Sequence, residues 1–498
     1  MARPKDEPFP APVYKETVLA PLFEGVKRHH WRYQMRINRA SAVMLAECGL
    51  IRPSEAKAIL DALDDIVATL DVAKLVYTGE HEDFFFYVES ELTRRLGVAI
   101  AGKLHTGRSR NDIDHTVFKL ALKERIIVFA GALIGLIETT LGVAEANRAT
   151  LVVAYTHGQP AQPTTFGHYL GALIEQLLRD LERLSDAARY PDKSSMGAAA
   201  ITTSGFGLDR ARMADLLGFA EVQENSYGCI ASVDYATSVY AQLKLLFVHL
   251  GRFVQDLNAW SGFEVGHLYV PDAYVQISSI MPQKRNPVAI EHLRLMLSLA
   301  AQRAEAVIFT VHNTPYTDMN DSEGEVQAAG YEAFDTGLRA LTLIAGFLGA
   351  VRIDEAKVRR HIEEACITVT ELADSLVRKE GLSFRQAHEV AALLARRMID
   401  SREIFRTVPY GAFLEAFAAV AGREPGLTEA EFRLVTTPEH FIEVRTMPGG
   451  PAPASLSASF ERYRRQLDQA RSWLNDYRGR MEQAAERLDE AASRLQRG

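Results

Sequence analysis

Apolar residues recur at three- and four-residue steps over Lys119–Asn147, Tyr169–Ala188, Tyr235–Gly262 and Val288–Val311, the spacing that gathers them on one face of an α-helix. Gly and Pro are sparse there, so each stretch is expected to outrun the roughly 11 to 12 residues of an average globular helix. Leu243-Lys244-Leu245-Leu246-Phe247-Val248 is apolar on more than one side, which predicts burial among neighbouring helices. The pattern predicts an all-α protein built on a bundle of long helices.

The periodicity changes along the chain and divides it in three. Residues 1–110 mix short helical stretches such as Ala40–Glu47 and Pro53–Leu70, residues 111–355 hold the long helices, and residues 356–498 turn to shorter ones, interrupted at Gly381 and Thr437-Pro438. From Ser457 to Gly498 the chain is rich in Arg, Glu, Gln and Ala with few breakers. That composition predicts an amphipathic terminal helix lying on the surface or on another subunit.

Composition narrows the class. With 498 residues, 47% hydrophobic and 24% charged, the chain is globular and long enough for two or three domains. A net charge of -8 supplies no broad basic field and argues against nucleic acid as the main partner. Cys48, Cys229 and Cys366 are too scattered for a disulfide framework or zinc site, which points to a reducing, cytoplasmic setting. No signal-peptide core and no membrane-spanning run of about 18 apolar residues is read from the sequence. Neither a phosphate-cradling Gly loop nor HExxH is present, so no cofactor and no metal are expected.

The chemistry concentrates in Ser278-Ser279-Ile280-Met281-Pro282-Gln283-Lys284-Arg285-Asn286-Pro287, within the segment 276–288. Pro282 and Pro287 remove backbone donors and push their predecessors out of helical geometry, so this is loop. Ser, Lys and Asn on a loop can set a proton acceptor beside oxyanion donors, as removal of a proton next to a carboxylate requires. The same composition also suits a solvated loop with capping serines and a surface lysine. Lys284 and Asn286, two residues apart in extended chain, would face one side and share a carboxylate. Arg110 and Asn111 offer a fork and an amide suited to a carboxylate, with Ser109 adding a hydroxyl, while Arg108 reads as a surface charge. His157, Thr156, Gln159 and Gln162 form a polar cluster ahead of an apolar helix.

The loop resembles the signature Ser-Ser-x-Met-Pro-x-Lys-x-Asn-Pro of the fumarase/aspartase superfamily. His105-Thr106-Gly107-Arg108-Ser109-Arg110-Asn111-Asp112 and Thr156-His157-Gly158-Gln159-Pro160-Ala161-Gln162-Pro163 are similar to blocks of its argininosuccinate lyase branch. Thr370–Asp374 with Phe384–Glu389 resembles that branch's carboxy-terminal domain, so the likeness spans residues 15 to 440. It implies a three-domain fold, a homotetramer with a twenty-helix core, and active sites shared by three subunits. It further implies cofactor-free, reversible elimination of fumarate from an N-substituted aspartate, with argininosuccinate as the reference substrate. Ser278 would be the general base, Lys284 and Asn286 would hold the dianion, and Glu291 would pair with His157. Ser279 and Met281 would belong to the substrate-facing loop.

The chain departs from the branch where the amine half would bind. The family's Tyr-Asn-x-Asp-x-Gln-Glu-Asp-Lys segment corresponds to Asp318-Met319-Asn320-Asp321-Ser322-Glu323-Gly324-Glu325-Val326, without the Tyr, Gln and Lys. Asp318 and Glu323 are therefore candidate contacts for a leaving group that tolerates a cation better than a carboxylate. Ethylenediaminedisuccinate lyases and other aminopolycarboxylate lyases offer one alternative, and an inactive crystallin-like structural protein another.

Overall fold

The computed structural model describes residues 9–498. Near the amino terminus, α1 (Trp31–Glu47), α2 (Pro53–Thr69) and α3 (Phe84–Leu96) are joined by short connections. The first long helix, α4, runs from Arg110 to Ala146. It starts nine residues before the expected Lys119, because Ser109 and Asp112 form a capping box ahead of the visible apolar period.

Strands β1 (Leu151–Thr156) and β2 (Gln159–Thr165) form an antiparallel hairpin ahead of α5 (Phe166–Ala187). Then come α6 (Asp234–Ser261), the short antiparallel pair β3 (Gln276–Ile277) and β4 (Arg285–Asn286), α7 (Val288–Thr310) and α8 (Gly324–Ala350). Helices α4 to α8 close a ring in which α4 meets α5, α5 meets α6, α6 meets α7, α7 meets α8, and α8 returns to α4. The bundle thus has five members, one more than the four periodic stretches singled out in the sequence. α8 follows directly on the acidic segment and escaped that reading.

Close approach is built into the bundle by small residues. Gly330 of α8 faces Tyr240 of α6, and a Cβ at that position would strike the phenol ring. By length and composition, Arg110–Ala146 and Asn320–Ala350 are apolar enough to cross a membrane, contrary to the expectation that no such run exists. Both are packed as core helices of the bundle. Leu245 and Val248, expected to be covered, are 40% and 48% exposed in the single chain.

Helices α9 (Val369–Glu380), α10 (Phe384–Ser401) and α11 (Tyr410–Ala421) enclose a separate apolar cluster that includes Leu372, Leu394, Phe413 and Phe432. The terminal helix α12 (Pro453–Arg497, 45 residues) does not join them. Its Leu456, Phe460, Tyr463, Leu467, Tyr477 and Leu488 belong to the main core, against α1, α2, α4 and α5. Grouping 453–497 with the rest of 356–498 is therefore corrected, since a row of apolar residues at helical spacing finds its partners on the bundle.

Buried charge ties α12 down as well. Lys123 of α4 is fully buried against Asp192 and donates to Gly218 O over 2.5 Å. Arg480 of α12 donates to the other Asp192 oxygen over 2.7 Å. Burial pulls the Lys123 ammonium down to about 8, with Asp192 opposing that shift.

Candidate active site

Three segments carry the candidate residues. The first is the amino-terminal turn of α4. Asp112 Oδ1 accepts from Ser109 N–H (2.7 Å), and its Oδ2 accepts from Gly197 and Ala199 N–H (3.0 and 3.2 Å). Asp112 therefore moors the connection in which Ala199, Ala200 and Thr203 hold left-handed backbone at φ 47°, 76° and 65°, conformations uncommon for residues with a Cβ. The motif reading quoted Asp112 without giving it a role.

Ser109 Oγ donates to Asn111 Oδ1 (2.7 Å), and Asn111 Nδ2 donates to Asp318 Oδ2 (2.5 Å). Arg110, expected to clamp a substrate carboxylate, donates instead to Asp83 (2.7 Å) and Glu82 (3.0 Å) at the start of α3, with its guanidinium over Phe86. Both bonds leave from Nη1, so two carboxylates of the same chain share one arm of the guanidinium, and Nη2 and Nε have no hydrogen-bond partner among the described residues. The reading of Arg108 as a surface charge is corrected, because it donates inward to Asn38 Oδ1 (2.8 Å) and Ser41 Oγ (3.2 Å). Burial lowers its guanidinium to about 10.

Asp318 and Glu323 reach this turn. Burial foremost, then the Asp318 charge, pushes the Glu323 carboxyl up to about 7, and Arg110 offsets part of the effect. Asp114, one helical turn beyond Arg110, is raised well above the usual carboxylate range by burial and by Glu323 and Asp83. His115 lies fully buried with Nε2 3.4 Å from Asp318 Oδ1. Asp114 and His115 carried no motif signal, and their i, i+3 and i, i+4 relation to Asn111 on α4 was the available hint; Asp83, on a distant segment, gave none.

The second segment is the β3–β4 hairpin and its loop. Ser278 Oγ accepts from the Met281 N–H at 3.1 Å and the Ile280 N–H at 3.4 Å, so two amide dipoles point at the oxygen that would carry charge as a base. Met281 O accepts from Lys284 N–H (3.0 Å), which closes the loop. Arg285 anchors it by donating to Val270 O (2.7 Å) and to Asp272. Ser279, Met281 and Lys284 are exposed, as is Glu291 on the first turn of α7.

The third segment is the tip of the β1–β2 hairpin. Thr156 pairs with Gln159, and His157 (φ 53°) with Gly158 (φ 74°) makes the two-residue turn, whose left-handed pair matches the twist of the strands. This hairpin replaces the expected direct passage from polar cluster to helix. Val153 packs on Val358, Ile362 and Ile367, so the tip projects from a firm base. Within one chain the structure joins Ser109, Arg110 and Asn111 to Asp318 and Glu323. Among the described residues it shows no hydrogen bond or ion pair linking them to Ser278, Lys284 and Asn286, or to His157 and Glu291.

A five-helix bundle, a serine-bearing loop with amides aimed at its hydroxyl and a carboxylate-rich turn at one helix start together define an α-helical lyase of the fumarase/aspartase type. The comparisons agree. The chain matches the lyase family over residues 24–301 and the argininosuccinate lyase C-terminal family over residues 366–443. It is 55% identical to argininosuccinate lyase 2 of Agrobacterium fabrum over 92% of this chain and 91% of that one. It is 31% identical to argininosuccinate lyase 1 of Shouchella clausii over 97% of each. Among solved structures, EDDS lyase in complex with formate superposes with a TM-score of 0.85 at 26% identity, over 98% of this chain and 96% of that one. A class II fumarase from Schistosoma mansoni, at 16% identity and a TM-score of 0.68 over 84% of this chain and 94% of that one, shares the fold. The chain belongs to the argininosuccinate lyase branch of the fumarase/aspartase superfamily and is a carbon-nitrogen lyase.

Proposed function

We propose that this protein catalyses the reversible elimination of fumarate from an N-substituted aspartate, with argininosuccinate, giving fumarate and arginine, as the reference substrate. The observation that carries this reading is the Ser278 hydroxyl with two amide donors on its oxygen, in a chain 55% identical to an argininosuccinate lyase. Ser278 takes the proton from the carbon beside one carboxylate. That carboxylate becomes a dianion held by Lys284 and Asn286, and collapse of the dianion breaks the carbon-nitrogen bond. The departing nitrogen regains a proton from the His157–Glu291 pair. Ser109, Asn111, Thr156, Gln159, Ser279 and Met281 position the succinyl half.

Separation of the three segments within one chain supports a homotetramer whose subunits complete one another's sites. Exposed apolar residues on the bundle, Leu245, Val248, Leu295 and Leu299, are suited to such contacts. On this reading the protein works in the cytoplasm on small molecules, the domain divisions fall near 110 and 355 with the chain returning to the bundle at Pro453, and no cofactor takes part. Intact Ser278, Lys284, Asn286 and His157 weigh against a crystallin-like structural role. The test is release of fumarate from argininosuccinate, followed by its ultraviolet absorbance. Absence of release from argininosuccinate and from every other N-substituted aspartate tried would reject the reading. An aminopolycarboxylate substrate is the second reading, favoured by the likeness to EDDS lyase over 98% of the chain.

A further inference from the structure

Around the first two turns of α4, carboxylates outnumber cations. Asp83, Asp114, Asp318 and Glu323 act on one another through space. Glu82 joins Asp83 on Arg110, the cation that pairs with this group among the described residues. A substrate carboxylate brought here would meet the Asp318 and Asp83 charges and would further oppose ionisation of Asp114 and Glu323, while Arg110 is already paired through Nη1 with Asp83 and Glu82.

A second observation shows what the cluster lacks. His115 is fully buried and neither of its ring nitrogens has a hydrogen-bond partner; Asp318 Oδ1, 3.4 Å from His115 Nε2, is likewise buried without one. Burial lowers the His115 pKa and keeps its imidazole neutral, so one ring nitrogen is an acceptor. The neutral ring carries one N–H: on Nε2 it faces Asp318 Oδ1, and on Nδ1 it leaves Nε2 and Asp318 Oδ1 as two acceptors side by side, a pair that suits an N–H group able to give two hydrogen bonds. An ammonium has three such donors. Among the described residues no three His, Cys, Asp or Glu side chains converge closely enough to hold a metal ion, which favours an organic cation spread along the cluster.

We propose that this cluster binds the leaving amine through a second cationic nitrogen, Asp318 and His115 receiving its N–H groups and Asp114 and Glu323 ionising as the cation arrives, so that the favoured amine is a dication without a carboxylate. The proposal rests on the elimination described above and specifies its amine half. Asn111 connects the two halves, since the amide that serves the succinyl side is oriented by Asp318.

The test uses the full-length enzyme and three substrates that differ only in the amine half: N-(3-aminopropyl)aspartate, N-propylaspartate and argininosuccinate. We expect kcat/KM for the aminopropyl compound to exceed each of the others by at least about tenfold. Glu323→Gln and Asp114→Asn, both close in shape, should each cut the aminopropyl-to-propyl ratio at least about fivefold. Thermal melting with 1,3-diaminopropane reads the subsite without turnover, and it should raise Tm in the wild type, less in Asp318→Asn, with propylamine inert. Cleavage of argininosuccinate at or above the aminopropyl rate, with the ratio unmoved in both variants, overturns the proposal. If no substrate is cleaved, the elimination reading fails, and melting alone decides the subsite: protection by the diamine supports it and absence of protection overturns it. Variants that melt early yet keep the wild-type ratio show that the carboxylates only hold the fold or meet a cation of another subunit, and also overturn it.

Discussion

Asn111 Nδ2 donates to Asp318 Oδ2 across 207 residues of sequence, at 2.5 Å. This single hydrogen bond couples the start of α4, where the succinyl half is expected, to the acidic segment ahead of α8. On the proposed function, residues that read the two halves of a substrate are thereby mechanically linked.

Replacing Ser278 by Ala should lower kcat by about 10² to 10⁴, the usual cost of a lost general base. Among the described residues the hydroxyl bonds only to amides of its own loop, so Tm should stay within ~1 °C of the parent. Steady-state kinetics with a melting curve checks both, and near-normal turnover would remove Ser278 from the mechanism.

Lys284→Met should reduce kcat more than Asn286→Ala, because a charge stabilises a developing dianion more than a neutral donor does. Lys284 is exposed and its side chain makes no hydrogen bond or ion pair among the described residues, so the loss should come without a change in melting. Equal and mild effects would mean that the loop serves only to gate access.

Glu323 sets a pH dependence with a definite sign. Its folded-state pKa is raised to about 7 from 4.5, so between these values the native state binds more protons than the unfolded state. Its contribution therefore turns against stability as pH rises from about 4.5 to 7 and is fully unfavourable above that window. Glu323→Gln should raise Tm at pH 8, on the order of 2 °C, and leave it unchanged at pH 4.5. Paired melting curves at the two values decide the matter, and an equal shift at both would locate the effect in packing.

Lys123→Met should be strongly destabilising, by about 3 to 5 kcal/mol, because Asp192 would stay buried with Arg480 as its remaining cationic partner. Turnover per folded molecule should be near normal, since Lys123 lies on the face of α4 that meets α12 and not at its first turn. Denaturant unfolding alongside active-site titration separates the two quantities.

The long helices could be read directly from residues such as Val239, Leu243, Leu246, Leu250 and Leu257, because an apolar stripe at helical spacing is a local property. The loop from Ser278 to Pro287 was equally legible, since two prolines exclude helix without reference to the rest of the chain. Local signals failed where partners are distant. The pairing of Arg110 Nη1 with Asp83 and Glu82 could not be read from the sequence, and Arg108 looked exposed until Asn38 and Ser41 were found beside it. The turn at His157-Gly158 lacks the usual Asn-Gly spelling, so the hairpin emerged only with its strands. The terminal helix was visible as a helix, but its place on α4 and α5 depends on which apolar surface remains uncovered after the bundle closes. Residue type and spacing determined the elements and the chemistry of the loop; tertiary structure decided which charges meet, because ion pairing and desolvation depend on distances that sequence separation does not encode.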